Sequence, residues 1–133
     1  MSMNTSNHVK DGSGNWVPLT GTTNEFTPSQ YDTDLTMDGT AQSVALATGA
    51  TKVFVINGGT TGKAIRFAFG TSAANAQANL TIAAAAATTG HYIPSPADGY
   101  GSVVLGVPSD ATHYAVANAV AADTQAVYIT QGV

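Results

Sequence analysis

Ala64-Ile65-Arg66-Phe67-Ala68-Phe69 is the stretch that decides the fold. Ile65, Phe67 and Phe69 fall on one side of an extended chain, and Ala64, Arg66 and Ala68 on the other. That period of two marks a half-buried β-strand. Working outward, 43–47, Lys52-Val53-Phe54-Val55-Ile56-Asn57, 91–93, 102–107, 113–118 and 126–130 are further strand candidates bounded by turn residues. The glycine-rich Asn57-Gly58-Gly59-Thr60-Thr61-Gly62 joins the second and third of the seven and predicts a hairpin between them. Pro94, Pro96 and Pro108 stand at strand ends, where a missing N–H does least damage. Seven short strands with regular turn punctuation predict an all-β fold, a β-sandwich of jelly-roll or immunoglobulin-like outline.

Two segments break the pattern. Residues 71–90 carry helix-favouring alanines and the run 83–87, but no charge pairs and no wide apolar stripe. They predict a long excursion with about one helical turn and a short strand around residues 80–82. Residues 1–38 are polar and turn-rich, with Trp16, Leu19, Phe26 and Tyr31 widely spaced. No strand or helix period is evident there, which predicts an extended N-terminal arm attached to a β-sandwich domain at 39–133. A floppy terminus is the plainer alternative. Isolated aromatics favour an arm that docks, and deleting residues 1–38 is expected to leave a folded domain.

Alternation also separates the sheet faces. Val44 and Leu46 oppose Ser43, Ala45 and Ala47; Tyr114 and Val116 oppose His113, Ala115 and Ala117. One face is an ordinary core face. The other is built of Ala, Ser and Thr where a solvated sheet would show Lys, Glu and Arg. Such a face suits packing against another protein, although an exposed sheet also tolerates Ala and Thr. Trp16, Phe26, Tyr31, Ala45, Ala47, Ala115 and Ala117 are the candidate interaction residues. The strands carry only Lys52 and Arg66 as edge guards, which also favours covered or paired edges.

Charge sharpens the exclusions. Only 9% of the 133 residues are charged, with a net charge of −4, against about 25% in an ordinary domain. Four basic residues argue against binding a nucleic-acid backbone. The chain has no cysteine, hence no disulfide framework or thiolate site. The first eight residues lack the basic and apolar regions of an export signal. The uncharged span 67–97 is interrupted by Asn75, Gln77 and Asn79, so no membrane helix is expected.

Motifs for chemistry are weak. Gly58–Ala64 is one residue short of a phosphate loop and lacks the Ser or Thr that follows its lysine. Asp32, Asp34 and Asp38 cluster in sequence, but without EF-hand spacing; a solvated turn is the simpler expectation. His8, His91 and His113 show no metal-ligand spacing, although His91 and His113 open strands that could share a sheet end. Asp98, Asp110 and Asp123 lie in turn sequences, where Asp bonds backbone amides. Tyr92, Tyr100, Tyr114 and Tyr128 would stack on a sugar if clustered and exposed; Tyr at sheet margins is the ordinary alternative. No enzyme activity, catalytic residue, metal or cofactor is expected.

The order of pieces carries a resemblance. Gly39-Thr40-Ala41-Gln42-Ser43-Val44-Ala45-Leu46 precedes a Gly-Ala turn, then Lys52-Val53-Phe54-Val55-Ile56-Asn57 and Ala64-Ile65-Arg66-Phe67-Ala68-Phe69-Gly70. A long Ala-rich excursion, a Pro-containing segment and a last strand ending Gln131-Gly132-Val133 follow. In this order residues 40–133 resemble small β-sandwich virion proteins of tailed bacteriophages. The resemblance implies a non-enzymatic structural role on the virion, made in the host cytoplasm. A head decoration (cement) protein would bind major capsid subunits and other copies of itself, often as a trimer. A head–tail or tail accessory protein is the neighbouring alternative, and a carbohydrate-binding or host-attachment module the rival from another class.

Overall fold

The computed structural model describes the backbone of residues 8–10, 13, 16–18, 26–38, 40–121 and 124–133. Side chains are described at 13, 26–28, 33–38, 40–121 and 124–133. In chain order, β1 (His8–Lys10) and β2 (Trp16–Pro18) pair as a two-stranded ribbon. There follow β3 (Pro28–Met37), β4 (Gln42–Ala45), β5 (Lys52–Asn57), β6 (Ile65–Gly70) and helix α1 (Ala73–Ala78). The remaining strands are β7 (Ile82–Ala83), β8 (Ala86–Ala87), β9 (His91–Ile93), β10 (Ser102–Gly106), β11 (His113–Asn118) and β12 (Gln125–Gly132).

Two four-stranded antiparallel sheets build the predicted all-β sandwich. Sheet one runs β10-β5-β12-β3 and sheet two runs β4-β11-β6-β9. Period-two alternation aims Val53 and Val55 of β5 and Val127 and Ile129 of β12 into the core, with Ile129 opposite Val55. Sheet two contributes Ile65, Phe67, Tyr114, Val116 and Ile93. Phe67 stacks on Tyr114 at 5.2 Å and meets Phe69 edge-on at 5.0 Å. Each of these large side chains contributes roughly 1.5–3 kcal/mol through burial, and together they hold the two layers face to face.

The expected hairpin between the second and third strands does not form. β5 belongs to sheet one and β6 to sheet two, so residues 58–63 cross between layers. Asn57, fully buried, organises the crossing: its amide donates to the carbonyls of Lys63 (2.8 Å) and Ile93 (3.1 Å). Its Oδ1 accepts from the Gly59 N–H at 2.8 Å. A Cβ on Gly59 would collide with the Gln125 side chain, and one on Gly58 would lie 2.9 Å from the Tyr128 ring. The glycines serve close approach of the crossing to β12, where a hairpin turn was expected.

The boundary at residue 38 also moves. Pro28–Met37 is a ten-residue strand paired along β12, from Met37 opposite Gln125 to Pro28 opposite Gly132. Burial alternates from Thr33 to Met37, with Asp34 and Thr36 exposed and Met37 buried. Residues 28–37 are therefore part of the sandwich, and removing them strips β12 of one partner. Residues 71–90 hold α1 and the small hairpin of β7 and β8, close to the predicted excursion.

Candidate functional site

The outer face of sheet two is the small-residue face singled out from sequence. Across it Ser43 opposes Ala115, which opposes Ala68, and Ala117 opposes Arg66. The chain itself covers most of it. Ser72 caps α1, its hydroxyl accepting the Asn75 N–H at 3.1 Å. Ala76, Leu80 and Ala87 from the excursion bury against Ala115 and Ala117, with Ala41 and Ala68 at the margin. A Cβ on Gly70 would collide with the Ala76 backbone nitrogen, so the helix rides directly on β6. Ala115 and Ala117 are therefore corrected as partner-contact residues: their surface is consumed within the chain. Ala45 is exposed and Ala47 half-buried, its N–H held by the buried Gln131 side chain at 2.7 Å. The Trp16 and Tyr31 side chains lie outside the described residues.

Sheet one presents a different outer surface. Phe54 and Val104 sit directly opposite one another, as do Ile56 and Tyr128, and Thr130 completes the row beside Phe54. These apolar side chains point away from the core yet are only half-buried, with Tyr128 44% exposed. Phe26 lays its ring 5.9 Å from that of Phe54. It is held there because Thr27 and Val133 exchange backbone hydrogen bonds of 2.7 and 3.1 Å. β5 is apolar on both faces, a signal already visible in Lys52-Val53-Phe54-Val55-Ile56-Asn57. A strand apolar on both faces is covered on both, or presents an interaction patch. Of the expected interaction residues, only Phe26 is shown on this face.

The tyrosines divide. Tyr114 is a core residue whose burial raises its phenol above the ordinary value, with Thr33 exerting the smaller, opposing influence. Tyr128 belongs to sheet one. Tyr92 and Tyr100 do come together, the Tyr100 hydroxyl donating to the Tyr92 carbonyl at 2.7 Å. They are 48% and 60% exposed, and the Arg66 guanidinium lies 5.2 Å from the Tyr92 ring centre.

The described histidines stay apart. His91 opposes Phe67 and His113 opposes Gly70, so they flank β6 on opposite sides, three residues apart along it. They do not share a sheet end. Asp34 lies within strand β3, a correction to the expected turn, while Asp38 accepts from the N–H and hydroxyl of Thr40. The Thr40 hydroxyl, then its N–H, holds the Asp38 carboxyl below the ordinary value. Asp98 is likewise lowered, first by the Gly62 N–H and then by the Ser95 hydroxyl, and so ties the crossing loop to residues 95–98. Among the described residues no three His, Cys, Asp or Glu gather to hold a metal, and no helix is long and apolar enough to cross a membrane. A cleft of about 200 Å³ opens beside Phe69, Asn75, Asn79 and Asp110. Its amides serve the fold: Asn75 accepts from the Thr71 N–H at 3.0 Å, and Asn79 donates to the Phe69 carbonyl at 2.9 Å.

Comparisons with protein-family models, curated proteins and solved structures found no match.

Proposed function

We propose that this protein is a non-enzymatic structural component of a tailed-phage virion, a head decoration protein that binds major capsid subunits. The observation that carries the reading is the outer face of sheet one. Phe54, Ile56, Val104 and Tyr128 form a contiguous, half-exposed apolar surface, with Phe26 at its margin. A face of this composition gains free energy when another protein covers it, at roughly 25 cal/mol per Å² of apolar area removed from water. A lattice that repeats the contact at every capsid site needs little affinity per copy when copies also contact one another. The order of sequence pieces over residues 40–133, which resembles small β-sandwich virion proteins of tailed phages, supports the same role. Mass spectrometry of purified particles, with labelling in particle images, tests it. Stoichiometric presence on the head surface is expected; absence from particles overturns it.

A second reading rests on Tyr92 and Tyr100. Their exposed rings, with Tyr100 pinned through its hydroxyl, form a small aromatic surface of the kind that stacks on sugars. A glycan array followed by Tyr100→Ala separates the readings: a specific glycan lost in that variant favours host attachment.

A further inference from the structure

We infer that two copies of this chain pair edge to edge through β10, antiparallel about a twofold axis at Val104. The contact needs no capsid, and it uses the edge of sheet one where the proposed capsid role uses the face.

The hydrogen-bond pattern of β10 decides which groups its edge offers. The Asn57 N–H donates to the Gly101 carbonyl at 2.8 Å, and the Val107 N–H to the Thr51 carbonyl at 2.9 Å. Val103 stands opposite Val55 and Leu105 opposite Val53, so by alternation residues 101, 103, 105 and 107 are those that bond towards β5. Ser102, Val104 and Gly106 turn their N–H and C=O groups the other way, off the edge. The Ser102 N–H is taken by the Tyr100 carbonyl at 2.8 Å. Among the described residues no strand lies on that side of β10.

The other three sheet edges are guarded. β3 carries Pro28, Asp32 and Asp34, and Gln42 donates to its Thr36 carbonyl at 2.7 Å. α1 packs against β4, and Gln77 donates to the Ala41 carbonyl beside it at 3.2 Å. β9 is three residues long, and the Tyr100 hydroxyl takes its Tyr92 carbonyl. β10 is Ser102-Val103-Val104-Leu105-Gly106, with neither charge nor proline. An edge of that kind is a template for another strand. Its core-facing Val103 and Leu105 are only half-buried, so the core is open along this flank as well.

Symmetry selects a second copy as the occupant. With Val104 facing Val104, the two residues exchange both N–H···O=C bonds, and each Gly106 N–H meets the Ser102 carbonyl opposite. The one donor absent from that ladder, the Ser102 N–H, is already satisfied within its own chain. Gly106 is exposed, with open space where a Cβ would stand, so it leaves the approach clear. Val104 then packs on Val104 outside and Val103 on Leu105 inside, with no like charges opposed. The aspartates of β3 would oppose one another in the same arrangement.

Sedimentation velocity of the full-length protein from micromolar to millimolar concentration tests the pairing. A reversible monomer–dimer equilibrium is expected. Val104→Pro removes only the outward N–H, which edge strands tolerate, and Val104→Lys sets like charges face to face. Each, verified as folded by circular dichroism, is expected to weaken the dimer about tenfold or more. Tyr128→Ser, on the outer face but two strands from the edge, is expected to dimerise like wild type. The chain has no cysteine, so Val104→Cys under mild oxidation should give a covalent dimer, its facing Cα atoms about 5.5 Å apart. Tyr92→Cys should not. A chain that stays monomeric throughout overturns the inference and leaves the edge to a strand of another protein. So does a trimer or open-ended growth, because a twofold contact closes at two. Dimerisation that survives both Val104→Pro and Val104→Lys, or is lost in folded Tyr128→Ser, assigns the contact to another surface and overturns it too. All of these use the isolated chain, so a monomer leaves the capsid role standing, and absence from particles leaves the dimer standing.

Discussion

Phe26 and Phe54 meet with ring centres 5.9 Å apart and planes tilted by 50°, on the outside of the sandwich. The chain leading into β3 is thereby fastened to the solvent side of β5 by a side chain that the core does not use. Phe26→Ala is expected to cost about 1–2 kcal/mol in urea unfolding, the share appropriate to a half-buried ring. Phe54→Ala should cost a similar amount. Because each ring is the other's partner, the double variant should cost less than the sum. Strict additivity would show that the pair is not coupled.

Gly70→Ala tests the seat of α1. The added methyl collides with the Ala76 backbone, which cannot yield without lifting the helix off β6 and β11. A loss of about 2–3 kcal/mol is expected, with faster amide exchange confined to residues 73–80. Unchanged exchange there would mean that the helix does not depend on this contact.

Asn57→Ala removes both bonds that the amide donates and the one that its oxygen accepts. The polar groups left behind in the crossing make a loss of about 2–4 kcal/mol the expected outcome in equilibrium unfolding. Asn57→Asp should be nearly as damaging, since an acid cannot donate to both carbonyls. A loss under about 0.5 kcal/mol, the range of a neutral surface change, would show that the crossing does not rely on Asn57.

Stability should fall in acid through Asp98 and Asp38. Both carboxyls are lowered in the folded state from the ordinary 3.8. The unfolded chain therefore binds protons first as pH drops. Their stabilisation is present above the unfolded value and lost as pH falls through the lower folded value. In thermal melts between about pH 6 and pH 2, Asp98→Asn should flatten the acid limb, because an amide neither ionises nor responds to pH. An acid limb identical to wild type would remove Asp98 from this role.

The sandwich was legible because Ile65, Phe67 and Phe69 alternate with Ala64, Arg66 and Ala68, and that period has one physical meaning. β3 was not, because Asp32, Asp34 and Asp38 look like a turn until Leu35 and Met37 are set against Val127 and Gln125. A glycine-rich connection fits a hairpin and a crossing equally well. Only the burial of Asn57 and the approach to Gln125 and Tyr128 distinguish them. Small residues behave the same way: Ala115 and Ala117 announce a covered face, and local sequence does not say that residues 73–87 cover it. The candidate surface was half visible, since β5 is apolar on both faces, but its outer neighbours Val104 and Tyr128 are brought beside it only by strand order.

Deletion of residues 1–25, which leaves β3 in place, should preserve the sandwich and its cooperative unfolding. Urea unfolding followed by circular dichroism checks this. A truncated chain that has lost its cooperative transition would contradict it.

Incorporation into particles tests the capsid role of sheet one. Full-length protein and Tyr128→Asp, each verified as folded, are supplied during particle assembly, and the protein co-purifying with heads is quantified by mass spectrometry. Near-stoichiometric wild-type protein on heads is expected, with strong depletion of Tyr128→Asp and normal incorporation of Tyr92→Asp from the opposite sheet. Tyr128→Asp present at wild-type level, or wild-type protein missing from heads, would contradict it.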